Sequence, residues 1–182
     1  MIRFVTTNAG KYREVTAILR ADGVEVEHFD LLLPEVQADT IEEVVEHSVK
    51  ALAGEADFDF VVDDSGLFVD ALKGFPGVYS SYAFRTIGIP GVLRLMEGAE
   101  RRQARFATVI GLWANGETHM FRGECRGTIT EQPRGTAGFG FDPIFLPEGH
   151  DRTFAEMLTE EKNAISHRGN AARALAAFLR GR

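Results

Sequence analysis

Apolar residues recur along this chain with two spacings, and the changes of spacing mark its elements. Ile2-Arg3-Phe4-Val5-Thr6 alternates and predicts a short strand. Tyr12, Val15, Ile18 and Leu19 then fall at helical spacing, predicting a helix over residues 11–21 that Gly23 stops. Val24 to Phe29 alternates again, and Pro34 interrupts the segment after it. Val44, Val45, Val49 and Leu52 give a second helix its buried face, with Asp39 or Thr40 as cap and Glu43 completing a capping box from Thr40. Phe60-Val61-Val62 is a short apolar run, consistent with a buried strand. A helix follows over residues 80–87, and Pro90-Gly91 separates it from a second short one carrying Val92, Leu93, Leu95 and Met96. Phe106 to Trp113 and Thr118 to Cys125 flank Asn115-Gly116, a two-residue hairpin signal, and Gly127 to Thr130 continues the extended pattern. Ser166 can cap a terminal helix with Ala171, Ala174, Leu175 and Phe178 inside. The N-terminal half is thus β-α-β and the middle antiparallel. The expected fold class is α/β, a mixed sheet with helices on both sides, in one domain over residues 1–182.

Composition narrows the function classes. The formal net charge of −7 argues against a general binder of nucleic acid or membrane surfaces. Hydrophobic content of 45% suffices for a core, but no apolar run approaches the length needed to span a bilayer. The N-terminus enters a strand pattern directly, which predicts no secretory leader, and the single Cys125 excludes an internal disulfide framework. Both predict a cytoplasmic location. Lysine stands only at Lys11, Lys50, Lys73 and Lys162, so where Arg is the default cation each Lys is a candidate point charge.

The candidate chemistry gathers in a few stretches. Val61-Val62 runs into Asp63-Asp64-Ser65-Gly66, which reads as a strand ending on two acids. Two carboxylates at a strand end suit a hard cation such as Mg²⁺, although the same residues also describe a turn that merely caps a strand. Thr6-Thr7-Asn8-Ala9-Gly10-Lys11 joins a strand to a helix, the geometry in which loop amides hold phosphate; the plainer reading is a β-α turn with Asn8 as cap. Glu35 is an acid in a loop, free to reach a site. Phe139-Gly140-Phe141-Asp142 combines close backbone approach with aromatic faces, and Gly74-Phe75-Pro76-Gly77 reads as a tight corner. His167-Arg168 sets cations in the first turn of a helix, where the dipole favours anions, and this points to a ligand. His28 reads as a surface residue.

Taken in order, these stretches, together with Glu161-Lys162-Asn163-Ala164-Ile165-Ser166-His167-Arg168, resemble the Ham1-like inosine triphosphate pyrophosphatases. The resemblance covers nearly the whole chain. It implies two lobes with a nucleotide cleft between them, a homodimer, and Mg²⁺-dependent hydrolysis of ITP, dITP and XTP to the monophosphate and pyrophosphate. It implies that Thr6, Thr7, Asn8, Ala9, Gly10 and Lys11 hold phosphate. It implies Glu35 and Asp64 as metal ligands, with Asp64 also the proton acceptor. Ser65, Phe139, Gly140, Phe141, Asp142, Lys162, His167 and Arg168 match substrate-binding positions. Thr7 stands where the family usually has Gly, which puts a positive φ or a close phosphate approach there in question. Glu46-His47-Ser48 and Ser80-Ser81-Tyr82 also depart from the Asn and Lys that many members carry, so contacts from those places do not transfer.

Three other readings compete. A Maf-like pyrophosphatase is disfavoured by the Ser166-His167-Arg168 segment. A haloacid-dehalogenase-type phosphatase would need Asp-x-Asp where this chain has Asp63 and Asp64 adjacent. A non-catalytic nucleotide sensor would not need both Glu35 and Asp64.

Overall fold

The structure, a computed structural model, describes residues 2–34 and 36–181. In chain order its principal elements begin with β1 (Ile2–Val5), α1 (Ala9–Ala21), β2 (Val26–Phe29) and α2 (Ile41–Ala53). Next come β3 (Phe60–Val69), β4 (Pro76–Gly77), α3 (Ser80–Thr86) and α4 (Gly88–Leu95). The chain closes with β5 (Gln103–Ala114), β6 (Glu117–Ile129), β7 (Phe145–Pro147), α5 (Thr159–Ile165) and α6 (His167–Arg180). The strands form one mixed sheet in the order β2-β1-β3-β5-β6-β7, with β4 added on β3. β1 is parallel to β2 and β3, and the other pairs are antiparallel. No helix among the described residues is long and apolar enough to cross a membrane.

Local signals set the helix ends. Asn8 Oδ1 accepts the Gly10 and Lys11 amides, Thr40 and Glu43 close a capping box, and Ser166 Oγ accepts the Gly169 amide. Pro90 and Gly91 do not separate two elements but lie inside α4, where a first-turn proline leaves no intrahelical bond unmade. Val44 is only half-buried; Ile41, Val45 and Val49 form the inner stripe of α2.

The largest difference from the sequence reading is at the acids. Asp63 and Asp64 do not end a strand. β3 runs on through Ser65 and Gly66 to Val69, paired residue for residue with β5 from Phe60↔Trp113 to Val69↔Ala104. Full pairing on one edge outweighs the poor strand propensity of Asp and Gly. The other edge is divided. β1 pairs with it only at Phe60 and Val61, and β4 only at Leu67 and Phe68. Residues 62–66 therefore face a gap between two partner strands.

The rim of that gap is built by the Gly-Phe-Pro-Gly corner. Ser80 Oγ accepts the Leu67 amide at 2.8 Å and donates to the Gly77 carbonyl at 2.7 Å, stapling α3 to both strands. A Cβ on Gly66 would overlap the Gly77 carbonyl oxygen. Backbone cannot yield as a flexible side chain can, so Gly66→Ala should lower stability by about 2–3 kcal/mol. Urea unfolding of the variant checks this, and an unchanged midpoint would contradict the close approach.

The pleat sorts side chains between two cores. Val61 joins α1 and α6 residues Val15, Leu19, Ala172 and Leu175, whereas Phe60 and Val62 join α2 residues Ile41, Val45 and Val49. A third cluster under α3 and α4 contains Leu67, Val69, Phe106 and Phe154.

Candidate active site

Alternation along β3 sends the two adjacent acids to opposite faces. Asp63 falls on the α1–α6 face, and its side chain is 0% exposed. Asp64 falls on the α2 face at the gap, and its side chain is 26% exposed. Lys11, in the first turn of α1, reaches into the gap from the side of β1. Its Nζ lies 3.2 Å from the Asp63 carbonyl oxygen, 3.2 Å from Asp63 Oδ1 and 3.9 Å from Asp64 Oδ1. Asp64 Oδ2 is buried without a hydrogen-bond partner among the described residues. Burial raises the Asp64 pKa to about 6; Lys11 opposes the rise and the neighbouring Asp63 adds to it.

Behind Asp63 runs a chain of buried ion pairs. Arg168 donates from Nη1 to Glu14 Oε2 at 2.6 Å and from Nη2 to Ser65 Oγ at 2.9 Å, with Nε 3.5 Å from Asp63 Oδ2. Lys162 donates to Glu14 Oε1 at 2.7 Å and to Asp142 Oδ2 at 2.6 Å. Asp142 Oδ2 also accepts the Phe139 amide at 2.9 Å. One network thus ties β3, α6, α1, α5 and the Gly-aromatic loop together. Burial pushes the Glu14 pKa up, but Arg168 and Lys162 together outweigh it and hold the group below its ordinary value. Asp142 goes the other way, raised by burial against the pull of Lys162.

His167 has a different environment. Its ring stacks on Phe106 with centroids 4.6 Å apart, and its Nδ1 is buried without a partner among the described residues. Burial first, then Arg168, Lys162 and Lys11, lower its pKa well below 6.5, so the ring is neutral at neutral pH. A folded pKa lowered in this way supplies stability that is present above about pH 6.5 and lost as the pH falls. The stability advantage of the wild type over His167→Asn should therefore shrink from pH 7 to pH 5, by at most about 1.4 kcal/mol per unit. Urea titrations at both values check it; a constant difference would contradict a neutral His167. The placement of this turn has a packing cause, because a Cβ on Gly123 of β6 would overlap the His167 carbonyl oxygen.

These residues surround a cavity of about 270 Å³ lined by Asn8, Lys11, Ser65, Phe139, His167 and Arg168, among others. Of the candidates read from the sequence, Gly140, Phe141 and Asp142 also line it. Lys162 lies behind this wall, 5.0 Å from the centre of the Phe139 ring. Gly10 backs Phe139 so closely that a Cβ there would sit 2.7 Å from its Cδ1. Thr6 Oγ1 accepts the Asn8 amide at 3.1 Å. Thr7 does not adopt a positive φ, so the replacement of the usual Gly imposes no backbone strain. Ala9 opens α1, where its amide has no intrahelical acceptor. Glu35 lies outside the described residues, and the described ones hold no cluster of three His, Cys, Asp or Glu side chains suited to a metal.

The sequence reading missed Glu14. Gly10, Glu14 and Ile18 stand at four-residue intervals, so the acid lies on the buried line of α1. It also missed Phe106, Phe84 and Arg85 in the cavity wall; Ser81, read as a place from which the family's contact does not transfer, lines that wall too.

Comparison with known proteins bears on the sequence and the backbone. A sequence model of the Ham1 family matches residues 2–178. The chain is 55% identical over 179 residues to a dITP/XTP pyrophosphatase of Thermococcus kodakarensis, spanning 98% of this chain and 97% of that one. It is 51% identical to a dITP/XTP pyrophosphatase of Pyrococcus horikoshii, spanning 98% and 96%. Among solved structures, the Staphylococcus aureus Ham1 protein shares its backbone with a TM-score of 0.86 at 33% identity, over 100% of this chain and 99% of that one. In sequence and in backbone, over nearly its full length, this chain belongs to the Ham1 family.

Proposed function

We propose that the protein hydrolyses non-canonical purine nucleoside triphosphates, ITP, dITP and XTP, to the monophosphate and pyrophosphate. The observation that carries this reading is the open edge of β3, where Lys11 lines a cavity walled by Phe139, His167 and Arg168 and its Nζ also lies 3.9 Å from Asp64 Oδ1. In it the triphosphate lies along residues 6–11 and the base enters the cavity.

A divalent cation fits the residues present. In the network around β3, the carboxylates of Asp63, Asp64, Glu14 and Asp142 outnumber the cations Lys11, Lys162 and Arg168. That surplus of negative charge disfavours a bare triphosphate. Asp64 Oδ2, buried and partnerless among the described residues, would hold Mg²⁺, with Glu35 as the second ligand by resemblance; Asp63 Oδ1 also lacks a hydrogen bond but faces the Lys11 ammonium at 3.2 Å. Bound there, Mg²⁺ would neutralise charge on the phosphates.

The chain's own groups do the rest. A water attacks the α-phosphorus, the bond from that phosphorus to the bridging oxygen breaks, and the water's proton passes to the Asp64 carboxylate. Without the cation the Asp64 pKa is raised to about 6; bound Mg²⁺ would favour the carboxylate form, which is the form that accepts the proton. Lys11 offsets the charge on the departing pyrophosphate.

Base selection follows from His167. A buried N–H without an acceptor is rarer and more costly than an unpaired lone pair, so the proton belongs on Nε2 rather than on the partnerless Nδ1. His167 then offers a donor to the 6-oxo group of inosine or xanthine, and would face the 6-amino donor of adenine. Sites built on such hydrogen bonds discriminate by up to about 10⁴-fold. The expected homodimer has support in the exposed Tyr82, Ile87 and Leu95 on and between α3 and α4. A single domain and a cytoplasmic location belong to the same reading.

One assay tests it: ITP, XTP, GTP and ATP with Mg²⁺, resolving pyrophosphate from orthophosphate. Pyrophosphate from ITP and XTP, abolished by EDTA, is the expected result. Orthophosphate would indicate a phosphatase, and binding without turnover a sensor.

A further inference from the structure

We propose that His28 is a positioning residue that fixes the entrance of the phosphate loop; this rests on the reading of residues 6–11 as that loop. His28 lies near the end of β2, level with Phe4 of β1. Its Nε2 is 2.8 Å from the Thr6 carbonyl oxygen. A carbonyl oxygen only accepts, so Nε2 carries the hydrogen and donates it. The Thr6 amide donates in turn to the Phe29 carbonyl at 3.2 Å. Both backbone polar groups of Thr6 are therefore pinned to the end of β2, one through main chain and one through the His28 ring.

The ring is itself oriented. It stacks on Tyr12 with centroids 4.4 Å apart and planes 23° from parallel. Tyr12 belongs to the first turn of α1, one residue after Lys11, and its amide closes that turn on the Asn8 carbonyl. His28 therefore joins the two ends of the loop: Thr6 where the chain leaves β1, and Tyr12 where α1 has begun. Two more contacts complete the clamp, Asn8 N–H to Thr6 Oγ1 and the cap in which Asn8 Oδ1 accepts the Gly10 and Lys11 amides. Without the His28 donor the Thr6–Thr7 peptide loses its side-chain anchor to β2. The loop amides not engaged in these contacts, and the Lys11 ammonium, would then meet a phosphate chain in less uniform positions, and a preorganised anion site weakens when its donors are not held. His28 does not line the cavity that takes the base, so its effect is confined to the phosphate end.

Two variants separate the bond from the stack. His28→Phe keeps a ring on Tyr12 and removes the donor; His28→Gln keeps a donor and removes the ring. Calorimetric titration with magnesium pyrophosphate, and separately with inosine, reads the two ends of the site. The expected result is pyrophosphate affinity about 5-fold weaker in His28→Phe and restored towards wild type in His28→Gln, a change on the scale of one hydrogen bond. Inosine affinity and melting temperature should stay at wild-type values in both. Equal pyrophosphate affinity in wild type and His28→Phe would overturn the proposal, as would a parallel loss for inosine or no measurable pyrophosphate affinity in the wild type. Wild-type turnover of ITP is scored separately and bears on the function reading, not on His28.

Discussion

Asp64→Asn is expected to lower kcat/KM for ITP by at least about 10³-fold while the protein melts no lower than the wild type. The activity loss has two sources, a carboxylate withdrawn from the cation and from the attacking water, and single preorganised charges of this kind are worth about 10²–10³-fold or more. The stability sign runs opposite. The folded pKa of Asp64 is raised above 3.8 to about 6, so its stabilising contribution is complete below about pH 3.8 and is lost as the pH rises through about 6. At pH 7 the ionised, partly unpartnered carboxylate is a cost, and an amide removes it. Loss of activity with gain or retention of stability is the signature of a group held for function. Kinetics with saturating Mg²⁺ and a melting curve at pH 7 check both halves. Near-wild-type turnover, or a marked fall in melting temperature, would contradict the assignment.

Glu14→Ala should do the reverse and damage the fold first. Glu14 bridges Lys162 and Arg168, and both of those cations are buried. Removing one partner of a buried ionic network costs about 3–5 kcal/mol because it strands the remaining charge. Lys162 keeps Asp142 and Arg168 keeps Asp63 and Ser65, which places the expected loss near the lower end, about 3 kcal/mol. At this chain length that corresponds to a melting temperature lower by about 6–12 °C. Glu14→Gln, which keeps the shape and one acceptor, should lose less. Because the same network carries the Phe139 amide through Asp142, the alanine variant should also raise KM for ITP. Thermal melts and KM measured side by side check the pair. A loss below about 1 kcal/mol in the alanine variant, the scale of a solvent-exposed pair, would mean that Glu14 does not hold the two cations as described.

The legibility of this chain followed the range of the forces involved. Caps, the hairpin at Asn115-Gly116 and the helix faces depend on residues close in sequence, and Thr40, Ser166 and Asn8 act as their local chemistry says. The run of β3 through Asp63-Asp64-Ser65-Gly66 depends on its pairing with residues 107–110 of β5, and local propensity argued against it. Gly66 reads as part of a turn at a strand end and is instead the place within β3 where the Gly77 carbonyl passes close. Basic residues at the start of α6 are legible as an anomaly, but only Arg168 is a cation there, since burial keeps His167 neutral; that Arg168 is answered by Glu14 from the opposite end of the chain is not legible. His28 was read as a surface residue and is indeed exposed, but its bond to Thr6 depends on the register of β1 with β2.

The proposed reaction turns on one event, the arrival of water at the α-phosphorus of a 6-oxo purine triphosphate beside the open edge of β3. Hydrolysis of ITP in ¹⁸O-labelled water, with the products weighed by mass spectrometry, reads that event itself. One labelled oxygen in inosine monophosphate and none in pyrophosphate is the expected outcome. Label in pyrophosphate, or in released orthophosphate, would contradict it.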